Sequence, residues 1–261
     1  MLIKSAKDIE NIKKNCQLTG EILEKLAAMC RPGVSSWEID QAAEKMIKKV
    51  GGRSAFKGYK GHPKDRPFPS TICASFNEEL VHGIAKKDAV MKDGDLFTID
   101  IGMEFKGTFS DTAMTVAIGK ISTEAKKLMD VTRQALEEAI KVALPGNSVA
   151  AIGRAVENYV KSQGKYGIVR DLVGHGVGHD VHEEPHIPNY YDPKLESVIL
   201  RPGMVIAIEP MISLGNFKIT TKPDGWTIKM ADDSLCAHFE HTVIITDIGN
   251  VVATRRPCEN Y

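Results

Sequence analysis

Apolar residues in the first fifty positions recur at helical spacing. In "SAKDIENIKKNCQLTGEILEKLAAMC", Ile9, Ile12, Cys16, Leu23 and Leu26 fall close to one stripe. Ser5 and Asp8 give that stretch a capping-box-like start, and "RPG" ends it. A second stripe, Ile39, Ala43, Met46 and Val50, follows Ser35 and Glu38 at the same spacing and stops at a double glycine. From Thr71 to Ile118 the period drops to about two, which predicts strands at "TICASF", "LFTIDI" and "TAMTVAI" in an antiparallel sheet. The order then recurs. "STEAKKLMDVTRQALEEAIKVAL" and "SVAAIGRAVENYVKS" predict a helix pair, and "GMVIAIEPMI", "GWTIKM" and "HFEHTVIIT" predict strands.

The recurrence extends to individual residues. Gly94 and Asp100 in "MKDGDLFTIDIG" match Gly203 and Glu209 in "LRPGMVIAIEPM" at an offset of 109. The turn before each second helix, "CRPGVSSWEI" and "ALPGNSVAAI", recurs at an offset of 113. Units this long do not make a solenoid. The expected fold is α+β: two pseudo-symmetric halves, about 1–120 and about 121–261, each an antiparallel sheet covered by helices. They are expected to form a single domain over residues 1–261, with strand acids converging at the junction.

Asp100 and Asp111 interrupt the first strand group, in "TIDIGMEFKGTFSDTAM", although Asp is a poor strand former that needs solvent or a partner. A turn within Glu104 to Gly107, centred between Phe105 and Lys106, sets Asp100 directly opposite Asp111, where like charges repel. Taken alone, the pair reads as part of the solvated face of an antiparallel sheet. Glu209 in "VIAIEP" differs, because it ends an apolar run that reads as buried on both faces. A buried carboxylate needs a proton, a cation or several hydrogen bonds. Glu240 in "AHFEHTVIIT" reads by itself as an exposed strand end. Four strand acids in matched halves shift the balance toward a metal site.

Charge narrows the field of partners. Lys plus Arg and Asp plus Glu both total 34, so no field of one sign calls for nucleic acid or a membrane surface. "MLIKSAKDIENIKK" lacks the apolar core of a signal peptide and no apolar run approaches a membrane span, so the expected location is cytoplasmic. Cys16, Cys30, Cys73, Cys236 and Cys258 contain no C-x-x-C pair, which fits reduced thiols.

"GHGVGHDVHEEPH" supplies His175, His179, His182 and His186. It is not the H-E-x-x-H zinc helix: Gly rather than Glu follows His175, and Gly176 and Gly178 would each cost a helix roughly 1 kcal/mol. The glycines fit a loop or extended backbone that approaches something closely. His179 and His186 read as loop histidines in water. His175 and His182, with His82 in "ELVHGI", give each half both imidazole and acid. Oxygen ligands with one imidazole suit Mn, Fe, Co or Zn. Four acids and one His are the inventory for two ions about 3.5 to 4 Å apart.

From about Ile9 to Ala253 the segments "LVHGI", "FTIDIGMEFKGTFSDTAMT", "GHGVGHDVHEEPHIPNY", "PGMVIAIEPM" and "DGWTIKMADDSLCAHFEHTVIIT" occur in order. Together they resemble the type I methionine aminopeptidases, which have the pita-bread fold. The resemblance implies that Asp100, Asp111, His175, Glu209 and Glu240 hold two divalent ions (Co, Mn, Fe or Zn), with Asp111 and Glu240 bridging. It implies attack by a metal-bridging hydroxide on the carbonyl after an N-terminal methionine whose next residue is small. Glu209 would shuttle the proton, His182 would lie near the scissile carbonyl and His82 would contact the next residue. Tyr59, Cys73 and Trp226 would line the methionine pocket. The implied partners are the N-termini of nascent polypeptides, met by a monomer in transient proximity to the ribosome. The chain departs from the commonest bacterial pattern in "YKGHPKDRPFPSTIC", which is longer, in His62 where an aromatic is usual, and in Val181, often a Phe. These departures bear on pocket shape rather than chemistry.

Two rivals remain. A proline-specific aminopeptidase or dipeptidase of the same fold shares the five ligands but usually carries an extra N-terminal domain, for which this chain has no room. A non-catalytic peptide-binding module should have lost ligands, and all five residues are present. Type II enzymes insert a segment between the last two ligands, whereas Glu240 follows Glu209 by only 31 positions.

Overall fold

The computed structural model describes residues 3–63 and 66–259. Ser5 and Ser35 cap their helices as their spacing predicts. Each hydroxyl accepts from the N3 amide, while the N3 carboxylate, Asp8 or Glu38, accepts from the cap backbone. The first half contains α1 (Ala6–Met29), α2 (Ser36–Lys49), β1 (Arg53–Ser54), β2 (Cys73–Phe76), β3 (Glu79–Val81), β4 (Leu96–Phe105) and β5 (Thr108–Ala117). The second contains α3 (Thr123–Val142), α4 (Val149–Gln163), β6 (Gly167–Ile168), β7 (Gly174–Gly176), β8 (Glu183–Ile187), β9 (Val205–Ile208) and β10 (Met211–Ser213). It continues with β11 (Ile219–Thr221), β12 (Ile228–Met230), β13 (Cys236–His238), β14 (His241–Ile245) and β15 (Asn250–Val252). No helix among the described residues is long and apolar enough to cross a membrane.

All strand pairings are antiparallel. In the first half β4 pairs with β5 along its length, and with β2 and β1 on its other edge. In the second, five strands run in the order β15-β14-β9-β7-β8. Alternation decides the faces. Phe97, Ile99, Ile101 and Met103 of β4 pack on Leu23 and Leu26 of α1 and Ile39 and Ile47 of α2. Ile206, Ile208, Val243 and Ile245 pack in the same way under α3 and α4. The opposite strand faces, carrying Asp100 and its counterparts, are left for the junction.

The internal repeat is geometric as well as textual. The Gly33 and Gly146 amides donate to Met91 O and Leu200 O, both at 2.9 Å. Ser35 bridges Val90, and Ser148 bridges Ile199. Helix α1 departs from a single stripe. Ile12 and Cys16 pack against Val205 and Ile244 of the second half, while Leu23 and Leu26 face α2. Between these faces Asn15 Nδ2 donates to Met103 O and Thr108 O at the turn end of the β4–β5 hairpin.

That hairpin turns one residue later than expected. Phe105 lies opposite Thr108, so Lys106 and Gly107 are the two turn residues, with φ of 53° and 75°. Paired left-handed residues make a type I′ turn, whose twist matches the flanking strands, and Gly107 adopts its φ at no steric cost. Asp111 consequently opposes Gly102, and Asp100 opposes Ala113. The two acids are diagonal neighbours on one face, not direct partners.

The halves join along β5 mainly through threonine hydroxyls. Thr242 Oγ1 donates to Asp111 O (2.7 Å) and accepts from Asp111 N (3.2 Å), and Thr112 Oγ1 donates to Glu240 O (2.8 Å). Glu240 N donates to Ala113 O at 3.0 Å. Thr242→Val keeps the shape but leaves the buried Asp111 amide and carbonyl without this partner, and should cost about 1–3 kcal/mol. A lower midpoint in urea denaturation is expected; an unchanged midpoint would remove the hydroxyl from the junction.

Candidate metal centre

Each predicted ligand reaches the junction from a different strand or strand end. Asp100 stands in the middle of β4, and Asp111 on β5. Glu209 follows β9, where Pro210 lacks the N–H that would continue the ladder. Glu240 lies between β13 and β14. His175 is central in β7, whose glycines pack as closely as their pattern predicts: a Cβ on Gly174 would lie 2.3 Å from Ala207 O.

The structure brings these five together. One oxygen each from Asp100, Asp111 and Glu240 lie within 4.8 Å of one another, as do donor atoms of His175, Glu209 and Glu240. Asp111, His175 and His182 form a third such group. His175 Nε2 is 3.5 Å from Glu209 Oε1 and 3.9 Å from Asp111 Oδ2. Its Nδ1 lies 2.9 Å from Gly176 O, a contact that assigns the proton to Nδ1 and points the Nε2 lone pair at the acids.

The solvated face that the aspartates suggest when taken alone, and the exposed end that Glu240 suggests by itself, are both absent among the described residues. Asp100, Asp111 and Glu240 are 8%, 3% and 2% exposed, because β13 and β14 of the second half cover the face that β4 and β5 present. Burial and neighbouring carboxylates push Asp111 and Glu240 well above the ordinary carboxylate range. Burial lifts Asp100 to about 6, with His238 opposing and Glu209 adding to the rise. Glu209 is different: burial pushes it up, but adjacent His238, His175 and His182 bring it below its ordinary value. Asp100 Oδ1, Asp111 Oδ1 and Glu240 Oε1 are buried with no hydrogen-bond partner among the described residues. Unpaired buried carboxylate oxygens beside an imidazole are a donor set that a divalent cation fits.

A cavity of about 640 Å³ opens beside the acids, walled by Phe56, Tyr59, Phe68, Cys73, His82 and Trp226. Phe68 and Trp226 stack edge to face at 5.3 Å. His182 is exposed toward the cavity, its Nδ1 3.1 Å from Tyr59 Oη and its ring 4.5 Å from that of His175. The surrounding walls and His175 hold its imidazole below the ordinary value. His82 takes a left-handed φ of 57°, and burial lowers it too. Val181 packs with Phe56, Phe68 and Cys73. The longer loop closes at its base, where Phe68 N donates to Tyr59 O at 2.9 Å; its positions 64 and 65 lie outside the described residues. His62 is exposed, while Gly61 and Phe68 of that loop line the cavity. His186 is exposed as expected, whereas His179, also exposed, sits 3.3 Å from Asp8.

Residues 10–247 match the model of metallopeptidase family M24. The chain belongs to that family. A methionine aminopeptidase of Aquifex aeolicus (strain VF5) is 45% identical over 251 residues, covering 96% of this chain and 97% of that protein. The crystal structure of a methionine aminopeptidase from Thermotoga maritima superposes with a TM-score of 0.92 at 39% identity, covering 98% of this chain and 100% of that one. The prolidase from Pyrococcus horikoshii OT3 reaches 0.75 at 25% identity, covering 98% of this chain but only 64% of its own. The fold is the pita-bread fold, as the resemblance implied, and the M24 protein is a metal-dependent peptidase.

His238 stands beside the acids although no sequence motif singles it out. It is 1% exposed, with Nε2 3.4 Å from Glu209 Oε2. Spacing alone carries a signal, because His238 and Glu240 are two apart in a strand-like run and so share a face.

The raised carboxyls carry a pH dependence in chelator-treated protein. A carboxyl whose native pKa exceeds its unfolded value stabilises the native state below the unfolded pKa, and that contribution is lost as pH rises through the native pKa. Asp111→Asn should therefore stabilise the metal-free protein at pH 7.5, because the amide does not have to ionise in the buried cluster. The gain should shrink as pH falls toward the unfolded carboxylate pKa. Thermal melts in EDTA across that range check this, and a gain that grows on acidification would contradict it.

Proposed function

We propose that this M24 protein is a methionine aminopeptidase that removes the N-terminal methionine from nascent polypeptides whose second residue is small. The observation that carries the reading is a set of unpaired, buried carboxylates opening onto an aromatic-walled cavity. The proposal treats residues 1–261 as one catalytic domain with halves about 1–120 and 121–261, acting in the cytoplasm as a monomer. Substrate N-termini would be met in transient proximity to the ribosome.

Asp100, Asp111, His175, Glu209 and Glu240 would hold two divalent ions, with Asp111 and Glu240 shared between them. Bound divalent ions supply Lewis acidity and lower the pKa of water, so no Ser or Cys nucleophile is needed. The chain's own residues do the remaining work. Tyr59, Cys73 and Trp226 take the methionine side chain in the cavity. His182, kept neutral and braced by the Tyr59 hydroxyl, offers a hydrogen bond to the scissile carbonyl. His82 meets the second residue, and Glu209, ionised by its imidazole neighbours, accepts the proton and returns it to the leaving amine.

The prolidase reading is weaker because that relative is more distant and the chain spans about two thirds of it. Chelator-treated protein reloaded with Mn2+ or Co2+ should release Met from a Met-Ala-Ser peptide and not from a Met-Leu peptide. Release of the first residue from Xaa-Pro peptides instead would favour the prolidase reading, and no release with any divalent ion would sink the enzyme assignment. Asp111→Asn should lose metal stoichiometry and activity together; retained activity would remove the bridging role.

A further inference from the structure

We propose that His238 is a positioning residue for Glu209: its Nε2, in contact with Glu209 Oε2 at 3.4 Å, fixes which carboxylate oxygen faces the other acids. This inference rests on reading Glu209 as a metal ligand.

His238 closes β13, and its backbone is held in place from both sides. Its N donates to Thr115 Oγ1 and its O accepts from the same hydroxyl, both at 3.0 Å. Thr115 Oγ1 in turn lies 2.8 Å from Thr98 Oγ1. Across the sheet His238 pairs with Met211, two residues beyond Glu209. These contacts fix the backbone from which the ring projects toward Glu209. Its Nε2 is 3.4 Å from Glu209 Oε2, and neither ring nitrogen has a hydrogen-bond partner among the described residues. A buried imidazole left so is costly unless a neighbouring charge uses it.

Glu209 offers that charge. Its Oε1 faces His175 Nε2 at 3.5 Å, and its main-chain O accepts from Asn189 Nδ2 at 3.0 Å. Asn189 anchors the backbone, so a donor on Oε2 is the remaining restraint that directs Oε1 toward His175 and Glu240. His238 belongs to none of the three-residue donor groups, so it acts through Glu209 and does not itself complete a ligand set. Groups that orient ligating carboxylates typically contribute roughly 10- to 100-fold to metal affinity.

The test compares wild type with His238→Leu, which removes the donor, and His238→Gln, which supplies an amide N–H. His238→Met, which adapts to irregular space, is run beside Leu so that the comparison survives misfolding of either. Chelator-treated proteins are titrated with Co2+ by calorimetry and followed by visible absorption. Leu and Met should weaken binding roughly 10- to 100-fold and alter the Co2+ spectrum at unchanged stoichiometry, while Gln restores both. Wild-type affinity and spectrum in a folded Leu or Met variant would overturn the proposal. Loss of one full equivalent in all three variants would also overturn it, by making His238 a ligand. No Co2+ binding by wild type would overturn this proposal and the metal reading together.

Discussion

The contact between β5 and residues 238–242 is the constraint on which the molecule depends. Each half covers its own sheet with its own helices, as the paired cores of α1 and α2 against β4 and of α3 and α4 against β9 and β14 show. What joins their inner faces is largely a row of threonine hydroxyls, Thr112, Thr115 and Thr242, that bond strand backbone across the junction. Such bonds are directional and short in reach, so they set the separation of Asp111 and Glu240 more narrowly than apolar packing would. Helix α1 reinforces the joint by packing Ile12 and Cys16 onto the second half.

Joining the halves this way costs electrostatic energy. Carboxylates from both sides are removed from water, and the protein offers incomplete compensation. Arg256, itself buried, opposes the rise of Glu240, yet Glu240 remains well above its ordinary range. The centre is thus a place where the fold gives up stability for function. A divalent cation resolves the conflict by giving the unpaired oxygens a partner. Imidazoles divide the labour among the acids: three of them depress Glu209, the carboxyl assigned to proton transfer, while Asp111 and Glu240 stay raised.

Much of the centre was legible because strand periodicity and the offset of 109 between halves both act on individual residues. Asp100 and Glu209 could be matched before any fold was known, and the glycines around His175 read correctly as extended, closely packed backbone. Failures came where a local rule had several solutions. Residue types alone admit a turn at Phe105-Lys106, whereas the left-handed pair Lys106-Gly107 satisfies the twist of the long strands. Asp111 and Glu240 read alone as solvated because burial is decided by what covers a face.

The chain by itself therefore determined the helices and their caps, the duplicated order, the five candidate ligands and the family. The helices, caps and duplicated order follow from spacing along the backbone, which is local and periodic, whereas the family and the full ligand set rest on the resemblance of the ordered motifs. Only the tertiary structure decided that the acids are diagonal and buried, that His238 stands behind Glu209, and that Asn15 ties α1 to the hairpin. Those facts depend on residues more than a hundred positions apart meeting across the junction, and no local pattern records which side chain will face which.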